Sequence, residues 1–358
     1  MTRKSRIIRI AAGLLTALLI VGVANTLAAL GAFRVLEVKS VGACRAATGL
    51  TGAEDITIDP KTGMAYLSAY DRRSAKEGKT VAGGLYAYDL AAAVPGLFNL
   101  TPEADKNFLP HGLSFYRGPD GVASLFVINH GGGKHAVEIF DLTPEGLVHR
   151  ETIESEALVS PNDLVAVGPR SFYVTNDRGT RPGPMRLAET YLRLRLTNVH
   201  YFDGEKFIES LSGIGGANGI NVSADGATLY LAASFEQKLY IYDRDKKTGS
   251  LTKQAGVALE GRPDNIERLD DGSLLVAIHS KALALRDHWN DPEALSPSHL
   301  VRVKRGEAGY TAQTIYLNEG EAISAATVGA AYKGRLVIGS IFEPKFLDCR
   351  WNHADPAS

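Results

Sequence analysis

The sequence predicts an all-β fold, a six-bladed β-propeller with a central channel, preceded by an N-terminal transmembrane or signal-anchor helix. Three observations carry this prediction. A strand–turn–strand pattern recurs along the chain, an apolar run of membrane-spanning length opens it, and its two cysteines, Cys44 and Cys349, lie near the ends of the part that follows.

The leader comes first. Arg3, Lys4, Arg6 and Arg9 precede an apolar run from Ile10 to Leu30, interrupted by Thr16, Asn25 and Thr26. At about 1.5 Å per helical residue such a run crosses a hydrocarbon core of roughly 30 Å. It is longer than the roughly 7–15 apolar residues of a signal-peptide core, so residues 1–35 read as a retained signal anchor. Cleavage near the small residues Ala24 and Ala28 is the alternative, and makes the protein secreted. The basic flank stays cytoplasmic, which places residues 36–358 in the periplasm or another extracytoplasmic space as the propeller domain.

The repeats follow. They read EDITIDPKTGMAYLSA from Glu54, HGLSFYRGPDGVASLFVIN from His111, NDLVAVGPRSFYVTN from Asn162, NGINVSADGATLYLAAS from Asn218 and DNIERLDDGSLLVAIH from Asp264, with a weaker AATVGAAYKGRLVIGS from Ala325. Each has a polar or small pair, an alternating strand, a turn often built on Asp-Gly or Lys-Gly, and a second apolar strand, which is a repeated β-hairpin signature. The copies start about 46 to 62 residues apart, near the roughly 40–50 of a four-stranded blade plus loops. Further strand-like runs lie between them at 83–90, 136–142, 238–244 and 299–305. A propeller brings its chain ends together, so Cys44 and Cys349 are expected to form a disulfide in an oxidising compartment, two unrelated buried thiols being the alternative.

Composition removes several function classes. With 39 Lys+Arg against 40 Asp+Glu there is no global field to recruit nucleic acid. No Gly-x-Ser-x-Gly elbow is present, no cysteine spacing suits thiolate zinc, and GGGK at 131–134 lacks the remaining parts of a phosphate-binding loop. A small molecule is the expected partner.

In a propeller the starts of the innermost strands converge on one channel mouth. Here that set is Glu54, Asp55, His111, Asn162, Asp163, Asn218, Asp264 and Asn265, with Pro110, Pro161 and Pro263 directly preceding His111, Asn162 and Asp264. Packed carboxylates repel one another unless a cation sits among them, and oxygen donors from carboxylates and amides suit Ca²⁺. Asn, Asp and Gly also mark ordinary turns, but pairs repeated in register before strands point to ligation.

The stretches GAEDITID, LPHGLSF, LFVINH, SPNDLVAVGPRSFYVTND, GANGINVSADGATLY, PDNI and YKGRLVIGSIF, in this order over residues 40–349, resemble the paraoxonase family of calcium-dependent lactonases and arylesterases. The resemblance implies two Ca²⁺ in the channel. A catalytic ion is then held by Glu54, Asn162, Asn218, Asp264 and Asn265, and a structural one by Asp55, Asp163 and the backbone carbonyl of Leu113. Cys44 and Cys349 match the family's disulfide positions. It further implies a histidine dyad in which His111 acts on water and His130 supports it, while Glu54 or Asp264 can share the role of base. His279 and Tyr70 are expected to line the substrate pocket.

Two segments depart from the family pattern. Residues 178–199 fall where a lid helix is expected, with Met185, Leu187, Ala188, Tyr191, Leu192 and Leu194 beside Arg186, Arg193 and Arg195; the helix expected over 182–197 is either a lid or a membrane contact. The loop at 70–80 is charged where the family's is apolar. The expected activity is calcium-dependent hydrolysis of lactones, lipophilic and acyl-homoserine lactones among them, and of aryl esters. The alternatives are a gluconolactonase-like propeller with a single metal and a non-enzymatic, calcium-stabilised binding module.

Overall fold

Asp-Gly or Lys-Gly turns close four of the six predicted hairpins, and the hairpin strands assemble with their neighbours into six four-stranded antiparallel sheets among residues 3–351, the part of the chain described by a computed structural model. The innermost strands are Ala53–Ile58, Pro110–Arg117, Pro161–Ala166, Ala217–Val222, Arg262–Arg268 and Ala326–Tyr332. They neighbour one another round a ring, so the sheets are the blades of a propeller. Alternation along each strand sends apolar side chains into the layers between blades. Phe126, Ile128, Leu164, Phe172 and Val174, for example, fill one layer between the second and third blades. Each such buried side chain contributes about 1.5–3 kcal/mol, which keeps the ring rigid around its channel.

The sixth blade is completed from the other end of the chain. Its outer strand is Cys44–Thr48, paired antiparallel with Lys345–Arg350 so that Cys44 lies opposite Cys349, and the two are disulfide-bonded. Asp348 stands in the same blade, where it accepts hydrogen bonds from Arg335, Arg45 and Tyr88. The ring is therefore closed by a strand, a covalent bond and an ion-pair cluster together.

Helices lie outside the blades. The apolar leader forms α1 (Arg3–Ala29), exposed along the part whose side chains are described and long enough by composition to cross a membrane. Its foot is docked: Ala282 donates to the Leu30 carbonyl, Gln237 to the Ala29 carbonyl, and Arg34 to the Ser280 carbonyl and to Gln237. Gly31 has φ +76°, and a Cβ there would sit 2.0 Å from the Ser280 oxygen, so only glycine permits the contact. The charged loop after the first hairpin contains α2 (Arg72–Lys76), started by Asp71, which accepts from the Ser74 backbone N–H.

In the 178–199 segment the helix is shorter than expected. It is α3 (Pro184–Leu192), because Arg193 adopts the left-handed conformation and Thr197 already begins a strand. Met185, Leu187, Tyr191 and Leu192 are exposed on it. Glu189 is buried beneath, accepting from the backbone N–H groups of Gly179 and Thr180. After His279 comes α4 (Ala282–Asn290), which meets α2 through Arg73 and His288.

Candidate active site

In a regular strand adjacent side chains point to opposite sides, so a pair such as Glu54-Asp55 could not serve one channel. The inner strands resolve this with irregularities at the same place in each blade. Register shifts fall between Ala53 and Asp55, Pro110 and Leu113, Pro161 and Leu164, Ala217 and Ile220, Pro263 and Ile266, and Ala326 and Val328. β-Bulges of this kind re-aim side chains and recur beside active sites. Glycine follows His111 and Asn218 for a steric reason. A Cβ on Gly112 would meet the Asn162 carbonyl oxygen at 2.5 Å, and one on Gly219 would meet the Asp264 carbonyl oxygen at 2.3 Å.

Direct contacts join part of the predicted ring. The Asn265 side-chain amide donates to the Glu54 carbonyl (3.1 Å) and to Glu54 Oε1 (3.2 Å), bridging the fifth blade to the first. His111 Nε2 lies 3.3 Å from Glu54 Oε2, and His279 Nε2 lies 2.7 Å from Asp264 Oδ2. Three buried oxygens of the set, Glu54 Oε2, Asn162 Oδ1 and Asn218 Oδ1, have no hydrogen-bond partner among the described residues. Leaving a buried polar group unpaired costs about 1–3 kcal/mol, more when it is charged. All three are carboxylate or amide oxygens, a donor chemistry that fits calcium.

Asp55 and Asp163 form a second group. A cavity of about 410 Å³ is lined by Asp55, Leu113, Asp163 and Glu267, with Glu54, Asn162, Asn218 and Asp264 absent from its wall. The two carboxylates cross-link blades, Asp55 accepting from the Leu113 N–H and Asp163 from the Ile220 N–H, each at 2.7 Å. Burial pushes both carboxyls well above the ordinary range. The charge of Glu54 adds to this at Asp55, and that of Asp55 adds to it at Asp163. At Glu54 burial also raises the carboxyl, but His111 and Arg72 outweigh it and hold the group below the usual glutamate range.

His111, on the inner strand of the second blade, and His130, just past the end of the strand paired with it, meet through Nδ1 and Nε2 at 2.7 Å. Burial pushes the His130 imidazole well below the usual histidine range, with the neighbouring histidines adding to the shift. Tyr70 reaches the ring through Arg72, whose guanidinium lies 4.1 Å from the centre of the tyrosine ring.

Three residues near the ring escaped the sequence reading. Buried Arg72 lies 4.0 Å from Glu54 Oε2 and sits in the charged loop, where nothing distinguishes it from its neighbours. Thr327, at the equivalent position of the sixth blade, donates to the Glu54 carbonyl at 2.6 Å; its signal was the register of the weakest repeat. His135, after the glycine run, contacts His130 at 2.9 Å.

The arylesterase family model matches residues 50–350. The chain belongs to the paraoxonase/arylesterase family. Serum paraoxonase/arylesterase 1 of Mus musculus is 32% identical over 332 residues, covering 89% of this chain and 92% of the relative. Serum paraoxonase/arylesterase 2 of Gallus gallus is 31% identical over 351 residues, covering 92% and 98%. Solved structures show the same fold at low identity. A calcium-binding regucalcin from Agrobacterium tumefaciens superposes with TM-score 0.52 at 15% identity, covering 88% of this chain and 95% of its own. A luciferin-regenerating enzyme superposes with TM-score 0.53 at 14%, covering 86% and 94%.

Proposed function

We propose that this arylesterase-family chain is a calcium-dependent hydrolase of lactones, lipophilic and acyl-homoserine lactones among them, and of aryl esters. In this reading Glu54, Asn162, Asn218, Asp264 and Asn265 hold a catalytic Ca²⁺, and Asp55, Asp163 and the Leu113 carbonyl hold a structural one. The observation that carries the reading is that three buried oxygens of the predicted ring, Glu54 Oε2, Asn162 Oδ1 and Asn218 Oδ1, lack a hydrogen-bond partner among the described residues, with His111 3.3 Å from the first. Calcium bound there supplies positive charge for a carbonyl oxygen that becomes negative as water adds.

The chain's own groups do the rest. His111 Nε2 stands at the ring edge, 3.3 Å from Glu54, where its lone pair takes a proton from a water poised at the carbonyl. His130 holds that ring in place through the 2.7 Å contact. His279, bound to Asp264, orients that carboxylate, and Tyr70 with Arg72 forms one wall of the entrance. The disulfide fits an extracytoplasmic location. Residues 1–35 act as a single-pass anchor, with α3 as a lid whose exposed apolar face meets the membrane, and residues 36–358 form the hydrolase domain.

The test uses full-length protein in detergent, assayed on phenyl acetate and a lactone panel when calcium-replete, chelated and calcium-restored, with Asn162→Ala alongside. Turnover is lost on chelation, returns with calcium, and falls on the order of 10²-fold in Asn162→Ala. Folded, calcium-loaded protein that hydrolyses none of the panel would remove the reading.

A further inference from the structure

We propose that His135 is a positioning residue that extends the His111–His130 pair into a three-histidine proton wire opening to solvent. The proposal rests on the reading of His111 as the group that activates water.

Geometry comes first. His111 Nδ1 contacts His130 Nε2 at 2.7 Å, and His130 Nδ1 contacts His135 Nδ1 at 2.9 Å. The rings stand 4.9 Å and 4.8 Å apart, centre to centre. Both nitrogens of His130 are therefore engaged by imidazoles. A neutral imidazole has one N–H and one lone pair, so each nitrogen–nitrogen contact must join one of each. That condition couples the three tautomers. When His135 Nδ1 presents its lone pair, His130 carries its proton on Nδ1 and accepts at Nε2 from His111 Nδ1–H. His111 Nε2, facing Glu54, is then left with the lone pair a base needs. In the opposite polarity His111 Nε2 carries the proton that a departing alkoxide needs.

The transfer balances. Water gives a proton to His111 Nε2 as its oxygen bonds to the carbonyl carbon. The Nδ1 proton of His111 passes to His130 Nε2, that of His130 Nδ1 to His135 Nδ1, and that of His135 Nε2 to solvent. Expulsion of the leaving oxygen runs the wire backwards: the oxygen takes the proton from His111 Nε2, and solvent reprotonates His135.

The loop between His130 and His135 is built for this contact. In His130-Gly131-Gly132-Gly133-Lys134-His135 the chain must return within a few residues, and Gly132 and Gly133 have φ +67° and +76°. A Cβ on Gly131 would lie 1.3 Å from the Asn107 carbonyl oxygen. The glycine run serves as a hairpin that folds one histidine back onto the other. Half-buried His135 faces Arg186, Arg181, Asp177 and His111, while Arg72 faces His130. Burial holds the His130 and His135 imidazoles below the usual range, with the neighbouring histidines and then Arg72 adding to it at His130 and Arg186 at His135, which keeps these two neutral and able to pass protons in either direction.

The experiment compares wild type, His135→Ala, His135→Gln and His111→Gln as calcium-loaded, full-length proteins in detergent. It records kcat and KM for phenyl acetate from pH 5 to 9, with and without added imidazole, together with Tm and ¹⁵N-histidine spectra. A positioned base contributes roughly 10²–10⁴-fold. His135→Ala removes part of this, about tenfold in kcat, leaves KM and Tm unchanged, shifts the acidic limb of the pH profile and regains activity with imidazole. His135→Gln keeps an acceptor for His130 Nδ1–H but conducts no proton, so its kcat falls between the two and its His130 tautomer matches wild type. If His111→Gln is inactive while both His135 variants keep wild-type kcat and pH profile, the wire is refuted and the hydrolase reading stands. If His111→Gln retains full activity, the reading of the base fails and takes the wire with it. A His135→Ala variant that loses Tm and activity together, with an unshifted pH profile and no rescue, makes the residue structural and overturns the proposal.

Discussion

Replacing Gly112 by alanine tests whether blade-to-blade contact sets the geometry of the ring. An added Cβ would lie 2.5 Å from the Asn162 oxygen and 2.6 Å from the Asp163 Cα. Both are backbone atoms, which cannot swing away as a side-chain tip does. Relief to ordinary contact requires the second and third inner strands to part by about 1 Å. Overpacking of this kind costs about 1–3 kcal/mol, which in a chain of this size lowers Tm by several degrees. The same displacement separates His111 from Asn162, and a misplacement of about 1 Å lowers kcat on the order of 10²-fold. Calorimetry, a calcium titration and phenyl acetate kinetics read the three effects. Gly219→Ala, with contacts of 2.3 Å and 2.7 Å to the fifth inner strand, is expected to behave alike. Wild-type Tm and kcat in Gly112→Ala would refute the claim that bulged strands in close contact hold the ring.

Two further outcomes follow from the ring closure. Replacing both Cys44 and Cys349 by serine removes a bridge with a sequence separation of 305; stability falls by about 2–5 kcal/mol, measured as the denaturation midpoint, and an unchanged midpoint means strand pairing alone closes the ring. Asp348 is raised by burial but lowered further by Arg335, Tyr88 and Arg45, so its folded carboxyl titrates below the ordinary range. A depressed carboxyl stabilises the fold above its unfolded pKa of about 3.9, and the contribution disappears as pH falls through the folded value. Asp348→Asn is therefore less stable than wild type in urea at pH 6, and the gap narrows below about pH 4; a gap independent of pH refutes the ion-pair account.

The repeats were legible because turn chemistry and alternation are local. An Asp-Gly turn favours a hairpin wherever it stands, and the polar pairs recur in register with the hairpins, so the propeller follows from the residues alone. The pairing of Cys44 with Cys349 was legible from their placement. Tertiary structure decided what depends on distance through space. Only folding shows that Cys44–Thr48 completes the sixth blade, because its partner strand lies about 300 residues away and edge pairing leaves no local mark. Only the folded blades reveal the register shifts at the start of each inner strand, because no local pattern announces them. The end of α3 was set by the left-handed Arg193, which a helical pattern does not announce. Arg72, Thr327 and His135 are single polar residues without periodicity, and their neighbours are brought to them by the closed ring and a glycine hairpin.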